Sequence, residues 1–511
     1  MAKIAFIAPC TAKLHGGHKN TIYDSKLFRL FTGKQMALFP KLSGLVFAAL
    51  TPERHSFVYI EDELDEIDFD MDVDIVALSV LTEQAYRAYE IAGEFRRRGK
   101  PVVMGGVHAS VVRQEAAAHC DVLMIGEGEN TWLPMLEDFE NGCLKPVYDA
   151  KDYPPVTALT SPKADVVQHD RYTMFVIQAT RGCPYDCDFC SLTYTNRRHY
   201  RKKPVEQVVA EIKEYEKHNI DGHLGMRRKN YYFVDDNLYV DREYVKELLT
   251  ALIPLGITWE GQGTVNTASD DEILELMAKS GCRAFSVGFE SIQPESLREV
   301  NKAKVNTVET YEACIRNMAR HGIMPGGYFI FGFDSDDVGV FERTWDFLDK
   351  SELLLCYLNV LTPYPGTRLY DRLEPRIYNY ASNNYNSWTC VFTPKLMSST
   401  ELQRGATWAA KKMMGLDYTF RQLKKFWNQG PWEAIPTLNL AERLTLIGMG
   451  LVLGFTGGME YLVYTFKCAF YPKAADIKEI FWFMRRREMA DYMRIEAVNP
   501  ALAKKKKQLA N

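Results

Sequence analysis

Three cysteines lie in one short run, 181–191, at Cys183, Cys187 and Cys190. Spacings of four and three residues put three thiolates on a single loop, close enough to bind one iron–sulfur cluster. A 4Fe–4S cluster normally takes four cysteines. A loop that supplies three leaves one iron open to a small molecule, as catalytic metal sites do. The motif therefore predicts cluster chemistry on a bound molecule. The alternatives are a zinc site with His199 as a fourth ligand and unrelated buried cysteines.

The same spacing, with Phe189 before the last cysteine, resembles the motif of the radical S-adenosylmethionine (SAM) superfamily. The resemblance implies that Cys183, Cys187 and Cys190 hold a 4Fe–4S cluster whose fourth iron binds the amino and carboxylate groups of SAM. It further implies that one electron from the reduced cluster cleaves SAM to a 5′-deoxyadenosyl radical. In such enzymes the cofactor carries the difficult chemistry, and the protein positions it and excludes water.

Residues 171–375 contain the elements that must position this loop. Apolar runs alternate with amphipathic helical patterns, and six such repeats predict a partial (β/α)6 barrel. The predicted strands are 174–179, 231–234, 257–261, 284–289, 327–331 and 353–360. The cysteine loop follows the first of them, at the end where barrel active sites lie.

Two other predicted strands run into polar side chains. The second strand leads into Asp235, Asp236 and Asn237, and the fourth ends at Glu290. The family resemblance implies that these four residues contact SAM, since carboxylate and carbonyl oxygens suit an ammonium group. Each of them is alternatively a helix cap. No catalytic side chain is assigned beyond these contacts.

Residues 1–145 predict a second α/β unit. Its predicted strands, 3–8, 56–60, 74–80, 101–104 and 122–125, are continuous apolar runs, and helical patterns separate the later ones. This pattern is typical of a flavodoxin- or Rossmann-like parallel sheet with both faces covered. Ligands on such sheets bind beyond the carboxyl ends of the strands.

Three loops leave those carboxyl ends, and their sequences resemble the cobalamin-binding domain that precedes many radical SAM cores. The resemblance implies cobalamin contacts at Ser79, Gly105, Gly106, His108, Gly126, Glu127 and Gly128. Glycine in these loops lets a ligand approach the backbone closely. The Asp-x-His-x-x-Gly signature of a cobalt ligand is absent, since no aspartate stands two residues before His15 or His18. A flavodoxin-like domain that only supports the core is the alternative.

The remaining segments are a linker and a C-terminal region. Residues 146–170 carry four prolines, which predict a boundary between domains. Residues 376–511 are predicted to be mostly helical. Their uncharged run 444–459 is shorter than the roughly 20 residues of a membrane span, so a buried or surface-lying helix is expected. The basic segments 485–487 and 504–507 suit a peripheral contact with anionic lipid, or are simply solvated.

The length, net charge and cysteine content of the chain limit the class of protein it can belong to. A chain of 511 residues predicts about three domains. Its net charge of −4 argues against nucleic acid as a partner. Eleven scattered cysteines and no secretory signal favour the reducing cytoplasm. We expect a small hydrophobic substrate and a reducing electron donor such as flavodoxin or ferredoxin.

Together these features predict a cobalamin-dependent radical SAM enzyme that methylates an unactivated carbon of a lipid, tetrapyrrole or natural product. A radical oxidase, cyclase or carbon–carbon coupling enzyme without methyl transfer is the first alternative. A non-catalytic iron–sulfur electron-transfer protein is the second.

Overall fold

The computed structural model describes residues 1–11, 37–151, 160–195, 198–218, 229–351, 353 and 355–413, together with 417, 418 and 421. These residues form two six-stranded parallel sheets and one short two-stranded ribbon. The sequence predictions for His15, His18, the run 444–459 and the two basic segments lie outside the described residues.

The first sheet has the strand order β2-β1-β3-β4-β5-β6. Its strands are β1 (Lys3–Ala8), β2 (Ser56–Glu61), β3 (Ile75–Ser79), β4 (Val102–Gly105), β5 (Val122–Ile125) and β6 (Val147–Asp149). The helices of this part are α1 (Leu42–Leu50), α2 (Ala85–Arg97), α3 (Val107–Val111), α4 (Arg113–Ala118) and α5 (Trp132–Glu140). Strand order reverses at β1, which places a crevice at the carboxyl ends of β1 and β3.

Both faces of the first sheet are covered. Val76 and Leu78 of β3 belong to one apolar cluster, while their neighbours Ile75 and Ala77 belong to another. Successive side chains of a strand point to opposite faces. The continuous apolar run of β3 therefore reflects two cores, as the sequence pattern predicts for a parallel sheet.

The second sheet has the order β14-β13-β12-β11-β10-β7, so sequential strands are neighbours. Its strands are β7 (Phe175–Ile177), β10 (Asn230–Phe233), β11 (Thr258–Gly263), β12 (Cys282–Glu290), β13 (Met324–Phe331) and β14 (Leu355–Val360). The helices are α6 (Leu192–Thr195), α7 (Val205–Lys217), α8 (Arg242–Leu252), α9 (Asp271–Lys279), α10 (Pro294–Glu299), α11 (Tyr311–Arg320), α12 (Val340–Lys350), α13 (Arg368–Leu373) and α14 (Ser399–Met413). The ends β7 and β14 are unpaired with each other, which makes an open, partial barrel.

The ribbon consists of β8 (Thr180–Arg181) and β9 (Arg201–Lys202), paired antiparallel. Strand β8 precedes the cysteine loop in sequence and β9 follows it. Their pairing brings the two ends of the segment 182–200 together.

The predicted α/β architecture with two parallel sheets is confirmed, and every predicted strand is present. The structure adds β6, which lies beyond the predicted boundary at residue 145, and the ribbon β8–β9. It also replaces part of the predicted loop after β4 with α3. No helix within the described ranges is long and apolar enough to cross a membrane.

Candidate active site at the carboxyl ends of the second sheet

The cysteine loop begins directly after β8. Gly182 has a φ of 90°, and a Cβ there would collide with the carbonyl oxygen of His199 across the ribbon, so glycine is required. Cys187 is buried, and Cys183 and Cys190 are half-buried. Burial raises the pKa of Cys187 to about 11 and that of Cys190 to about 12. The free thiols are therefore protonated at neutral pH, and metal binding must displace their protons.

The three cysteines lie on one loop, between residues 183 and 190. Within the described part of the chain, no three His, Cys, Asp or Glu side chains form a ready site for a metal ion. A tetrahedral zinc site needs side chains that converge on one ion, whereas each cysteine of a 4Fe–4S site binds a different iron.

Two carboxylates after β10 hold the backbone of the cysteine loop. Asp235 is fully buried and accepts hydrogen bonds from the amide of Ala179 (3.2 Å) and from the amide and hydroxyl of Thr180 (2.6 Å to the hydroxyl). Burial raises the pKa of Asp235 to about 7. Asp236 accepts from the amide of Gly182 at 2.7 Å. Both carboxylates thus shape the segment that leads into Cys183, while their contact with SAM stays a prediction.

Asn237 points its amide at the first cysteine. Its Nδ2 lies 4.0 Å from Cys183 Sγ, and its Oδ1 is buried with no hydrogen-bond partner among the described residues. Buried acceptors are normally satisfied, so an orphan one indicates a missing donor. The ammonium of SAM is such a donor, and this position fits the predicted contact.

Glu290 ends β12 in an uncommon backbone conformation. Its φ is 63°, and the register with β13 shifts between Gly288 and Glu290. A left-handed non-glycine residue at a strand end costs energy and points to function. A Cβ at Gly288 would collide with the carboxylate of Glu290, so glycine there lets the side chain fold back over the strand.

Lys302 is a buried cation that the sequence motifs did not reveal. Its Nζ lies 3.1 Å from Glu290 Oε1. Burial alone would lower the pKa of Lys302, but Glu290 and the thiols of Cys187 and Cys190 raise it, so the ammonium stays charged. A positive charge therefore lies beside two predicted cluster ligands.

Asp188, between the second and third cysteines, anchors the loop from outside. Its carboxylate accepts from Asn301 at 2.8 Å and pairs with Arg368 at 2.8 Å and Arg372 at 3.4 Å. Its amide donates to the carbonyl of Val300 at 3.1 Å. Sequence reasoning missed this role because all of these partners lie more than a hundred residues away.

The predicted cobalamin loops lie together at the carboxyl ends of β3, β4 and β5. Gly106 has a φ of 94°, and a Cβ there would lie 2.7 Å from the backbone of Val80. The amide of Gly126 donates to Ser110 Oγ at 3.0 Å. Ser79, Gly105 and Gly106 are half-buried and Gly126 is exposed, so a large planar ligand can reach their backbone. Gly128 instead packs under the ring of Phe47.

His108 does not lie on that surface. It is fully buried in α3, with Nε2 2.7 Å from the Tyr89 hydroxyl. Burial lowers the pKa of His108 to about 4, so the imidazole is neutral at physiological pH. A contact between this position and cobalamin would run through the loop backbone and not through the imidazole.

Glu127 faces the ribbon. Its carboxylate pairs with Arg181 at 2.9 Å and with Arg201, and Arg181 also pairs with Glu129 at 2.6 Å. The side chain is thus occupied by guanidinium groups, and a direct contact with the corrin stays a prediction.

The inner face of the second sheet carries tyrosines. Tyr328 and Tyr357 stack with ring centroids 4.7 Å apart, and Tyr328 donates to Gln262 at 3.4 Å. Tyr232 lies on the same face and stacks on Phe39 at 5.2 Å. Tyr357 is 41% exposed, which leaves part of this aromatic surface open.

Two family models match the chain. The radical SAM superfamily matches residues 177–348, and the B12 binding domain matches residues 52–133. These ranges cover the second sheet as far as α12 and the part of the first sheet that carries the three loops.

Two similar curated proteins come from Chlorobaculum tepidum. The bacteriochlorophyllide d C-12(1)-methyltransferase is 32% identical over 334 residues, which cover 64% of this chain and 72% of that protein. The C-8(2)-methyltransferase is 33% identical over 344 residues, with coverages of 66% and 76%. Hopanoid C-2 methylase of Rhodopseudomonas palustris is 26% identical over 66% of this chain and 65% of its own.

Solved structures show the same fold. The radical SAM methyltransferase TsrM of Kitasatospora setae, with cobalamin and a 4Fe–4S cluster bound, superposes with a TM-score of 0.60 at 15% identity, over 81% of this chain and 89% of that one. The cobalamin-dependent enzyme OxsB gives a TM-score of 0.63 at 14% identity, over 97% and 75%.

The chain belongs to the radical SAM enzymes that carry a cobalamin-binding domain. Its cofactors are a 4Fe–4S cluster, SAM and cobalamin, as predicted from the cysteine motif and the three loops.

Proposed function

We propose that this enzyme transfers a methyl group from cobalamin to an unactivated carbon of a hydrophobic substrate. The observation that carries the proposal is the pairing of a three-cysteine loop at the mouth of one parallel sheet with a cobalamin-type loop cluster on another. The methyltransferases from Chlorobaculum tepidum, which align with 64% and 66% of this chain, support the methyl transfer. When bound, the cluster and SAM supply a 5′-deoxyadenosyl radical, and cobalamin supplies the methyl group.

The proposed roles of the chain's own residues follow from their geometry. Cys183, Cys187 and Cys190 hold the cluster. The orphan oxygen of Asn237 accepts from the SAM ammonium, and Glu290 lies where the ribose or amino group is expected. Asp235 and Asp236 act on SAM mainly by fixing the loop, and Ser79, Gly105, Gly106 and Gly126 present backbone to the corrin. We assign 1–149, which include β6, to the cobalamin domain, 150–170 to a linker, 171–375 to the radical core and 376–511 to a helical region.

For the substrate we propose a planar tetrapyrrole. Two relatives that are 32% and 33% identical to the chain over the aligned residues are named for bacteriochlorophyllide. The stacked Tyr328 and Tyr357 offer an exposed aromatic face on which a flat ring system can lie. A reducing donor such as flavodoxin or ferredoxin, a cytoplasmic location and a peripheral membrane contact complete the proposal.

One observation favours a second candidate, oxidative ring formation without methyl transfer. The anaerobic magnesium-protoporphyrin IX monomethyl ester cyclase of Rubrivivax gelatinosus is 24% identical over 67% of this chain and 66% of its own. We rank the cyclase activity below methyl transfer because the two methyltransferases are more similar in sequence to this chain. The alignments also cover a larger share of their length.

Anaerobic reconstitution with iron, sulfide and cobalamin tests the proposal. We expect a 4Fe–4S spin signal, stoichiometric cobalamin, and 5′-deoxyadenosine formed on reduction with SAM. With methyl-labelled SAM and a chlorophyllide-type pigment, mass spectrometry should find label on the pigment. Deoxyadenosine with an oxidised, unlabelled pigment would support the cyclase instead. No SAM cleavage at all would leave only the electron-transfer alternative.

A further inference from the structure

Four charged residues link the two sheets beside the cluster loop, and binding of SAM or cobalamin does not explain the ion pairs between them. Arg201 is buried and the other three are half-buried. Glu127 and Glu129 follow β5 of the first sheet, while Arg181 ends β8 and Arg201 begins β9. Their side chains are 8–16% exposed. We call this set the interdomain joint.

The contacts of the joint are mutual. Arg181 donates to Glu127 at 2.9 Å and to Glu129 at 2.6 Å, and Arg201 donates to both oxygens of Glu127, at 2.9 Å to Oε2. Arg181 and Arg201 are paired across the ribbon, so Glu127 bridges both of its strands. Two anions and two cations balance, which is the condition for burying charge.

The joint touches both predicted cofactor loops. Arg181 stands two residues before Cys183, and Gly182 between them is held by Asp236 at 2.7 Å. On the other side, Glu127 lies between the predicted corrin contacts Gly126 and Gly128. A displacement of one loop is thus passed to the other through bonds that tolerate little change in length or angle.

We propose that Glu127, Glu129, Arg181 and Arg201 set the separation between cobalamin and the 4Fe–4S cluster. The inference rests on the proposed function, and it makes Glu127 a positioning residue whose carboxylate serves the ribbon and not the corrin. Two reactive centres must meet at one substrate carbon, and a misplacement of about 1 Å can cost on the order of a hundredfold in rate. The ion pairs of the joint, one of them bidentate, can fix the distance between the two cofactor loops.

The test uses the reconstituted holoenzyme with cob(II)alamin and the reduced cluster, whose dipolar coupling pulsed electron paramagnetic resonance measures. Glu127→Gln turns an amide NH2 toward a guanidinium and removes one bond. Glu129→Ala removes only the contact to Arg181, and stays informative if the first variant does not fold. Glu275→Gln, which breaks an exposed pair with Lys279, is the matched control.

We expect both joint variants to keep the iron and sulfide content of the wild type. Their inter-spin distance distributions should be broader and shifted, and they should bind cobalamin at least about fivefold more weakly. Glu275→Gln should match wild type. Wild-type distance distributions in both joint variants would show that the joint does not set the separation between the cofactors. The proposed function would be unaffected. A wild-type protein that holds a cluster but no cobalamin would overturn both.

Discussion

Lys302 Nζ lies 3.1 Å from Glu290 Oε1, and each side chain is only 9% exposed. The pair lies beside Cys187 and Cys190. Burying a charge is costly unless it is paired, so each partner requires the other. Lys302 therefore places a positive charge beside two predicted cluster ligands, Glu290 balances that charge, and the ion pair holds Glu290 at the strand end.

Lys302→Gln should make the cluster harder to reduce, because reduction adds negative charge next to the position that loses its cation. If the ammonium stabilises the reduced cluster by about 1 kcal/mol, its loss shifts the reduction potential of the cluster by roughly 50 mV to a more negative value. A redox titration followed by electron paramagnetic resonance measures it. Lys279→Gln removes an exposed cation far from the loop and should leave the potential unchanged. Equal potentials in Lys302→Gln and wild type would show that the ammonium does not act on the cluster.

Cys187→Ala should abolish SAM cleavage and leave the fold largely intact. Loss of one of three thiolates leaves the cluster without the ligands that hold it. Iron analysis and a 5′-deoxyadenosine assay after reconstitution measure the effect, and circular dichroism reports the fold. The matched control is Cys120→Ala, a buried cysteine just before β5 whose Sγ donates to the carbonyl of Ala116. Retained cleavage in the Cys187 variant would contradict the cluster assignment.

Asp235→Asn should destabilise the apoprotein and reduce cluster retention. Its two oxygens accept three hydrogen bonds from Ala179 and Thr180, and an asparagine would turn its NH2 toward one of these donors. Leaving a buried donor unsatisfied costs about 1–3 kcal/mol. Urea unfolding and iron content check both effects. Asp337→Asn, which changes an exposed carboxylate paired with Arg343, should change neither, and equal behaviour of the two variants would refute the anchoring role.

His108 should make the first sheet sensitive to acid. The unfolded imidazole takes up a proton near pH 6.5, whereas burial lowers the pKa of His108 to about 4. The unfolded state thus binds more protons between these values, so the stability contributed by the neutral ring is complete above pH 6.5 and is lost as pH falls toward 4. At pH 5 the loss is about 2 kcal/mol.

Urea unfolding of the apoprotein at pH 7 and pH 5 measures this loss. His108→Gln should be less stable than wild type at pH 7 but should lose less stability on acidification. The half-exposed His218, replaced in the same way, serves as the control. An unchanged pH slope in His108→Gln would exclude the buried imidazole as its source.

The sequence predicts the elements that are long and apolar. All strands of both sheets except β6 are contiguous runs that periodicity can detect. β6 escapes because it is three residues long, follows Pro146 and buries only Tyr148. The ribbon β8–β9 has two residues in each strand, and α3 has five residues without helical periodicity, so neither leaves a pattern.

Some residues of the site could also be predicted from the sequence, and others could not. The cysteines and the Asp235–Asn237 turn are contiguous motifs, and the sequence predicts them directly. Lys302 and the joint between Arg181 and Glu127 depend on contacts between distant parts of the chain, which no local spacing reveals. The buried position of His108 also depends on tertiary packing, which the loop sequence alone does not show.

Asp188 has a consequence for how the enzyme matures. Its partners Arg368 and Arg372 belong to α13, which the ribosome makes long after Cys190. The loop that receives iron and sulfide gains these two ion pairs only when α13 has docked, so a nascent chain that ends before α13 holds Asp188 through Val300 and Asn301 alone. Delivery of the inorganic cofactor is therefore expected to follow translation of the whole second sheet.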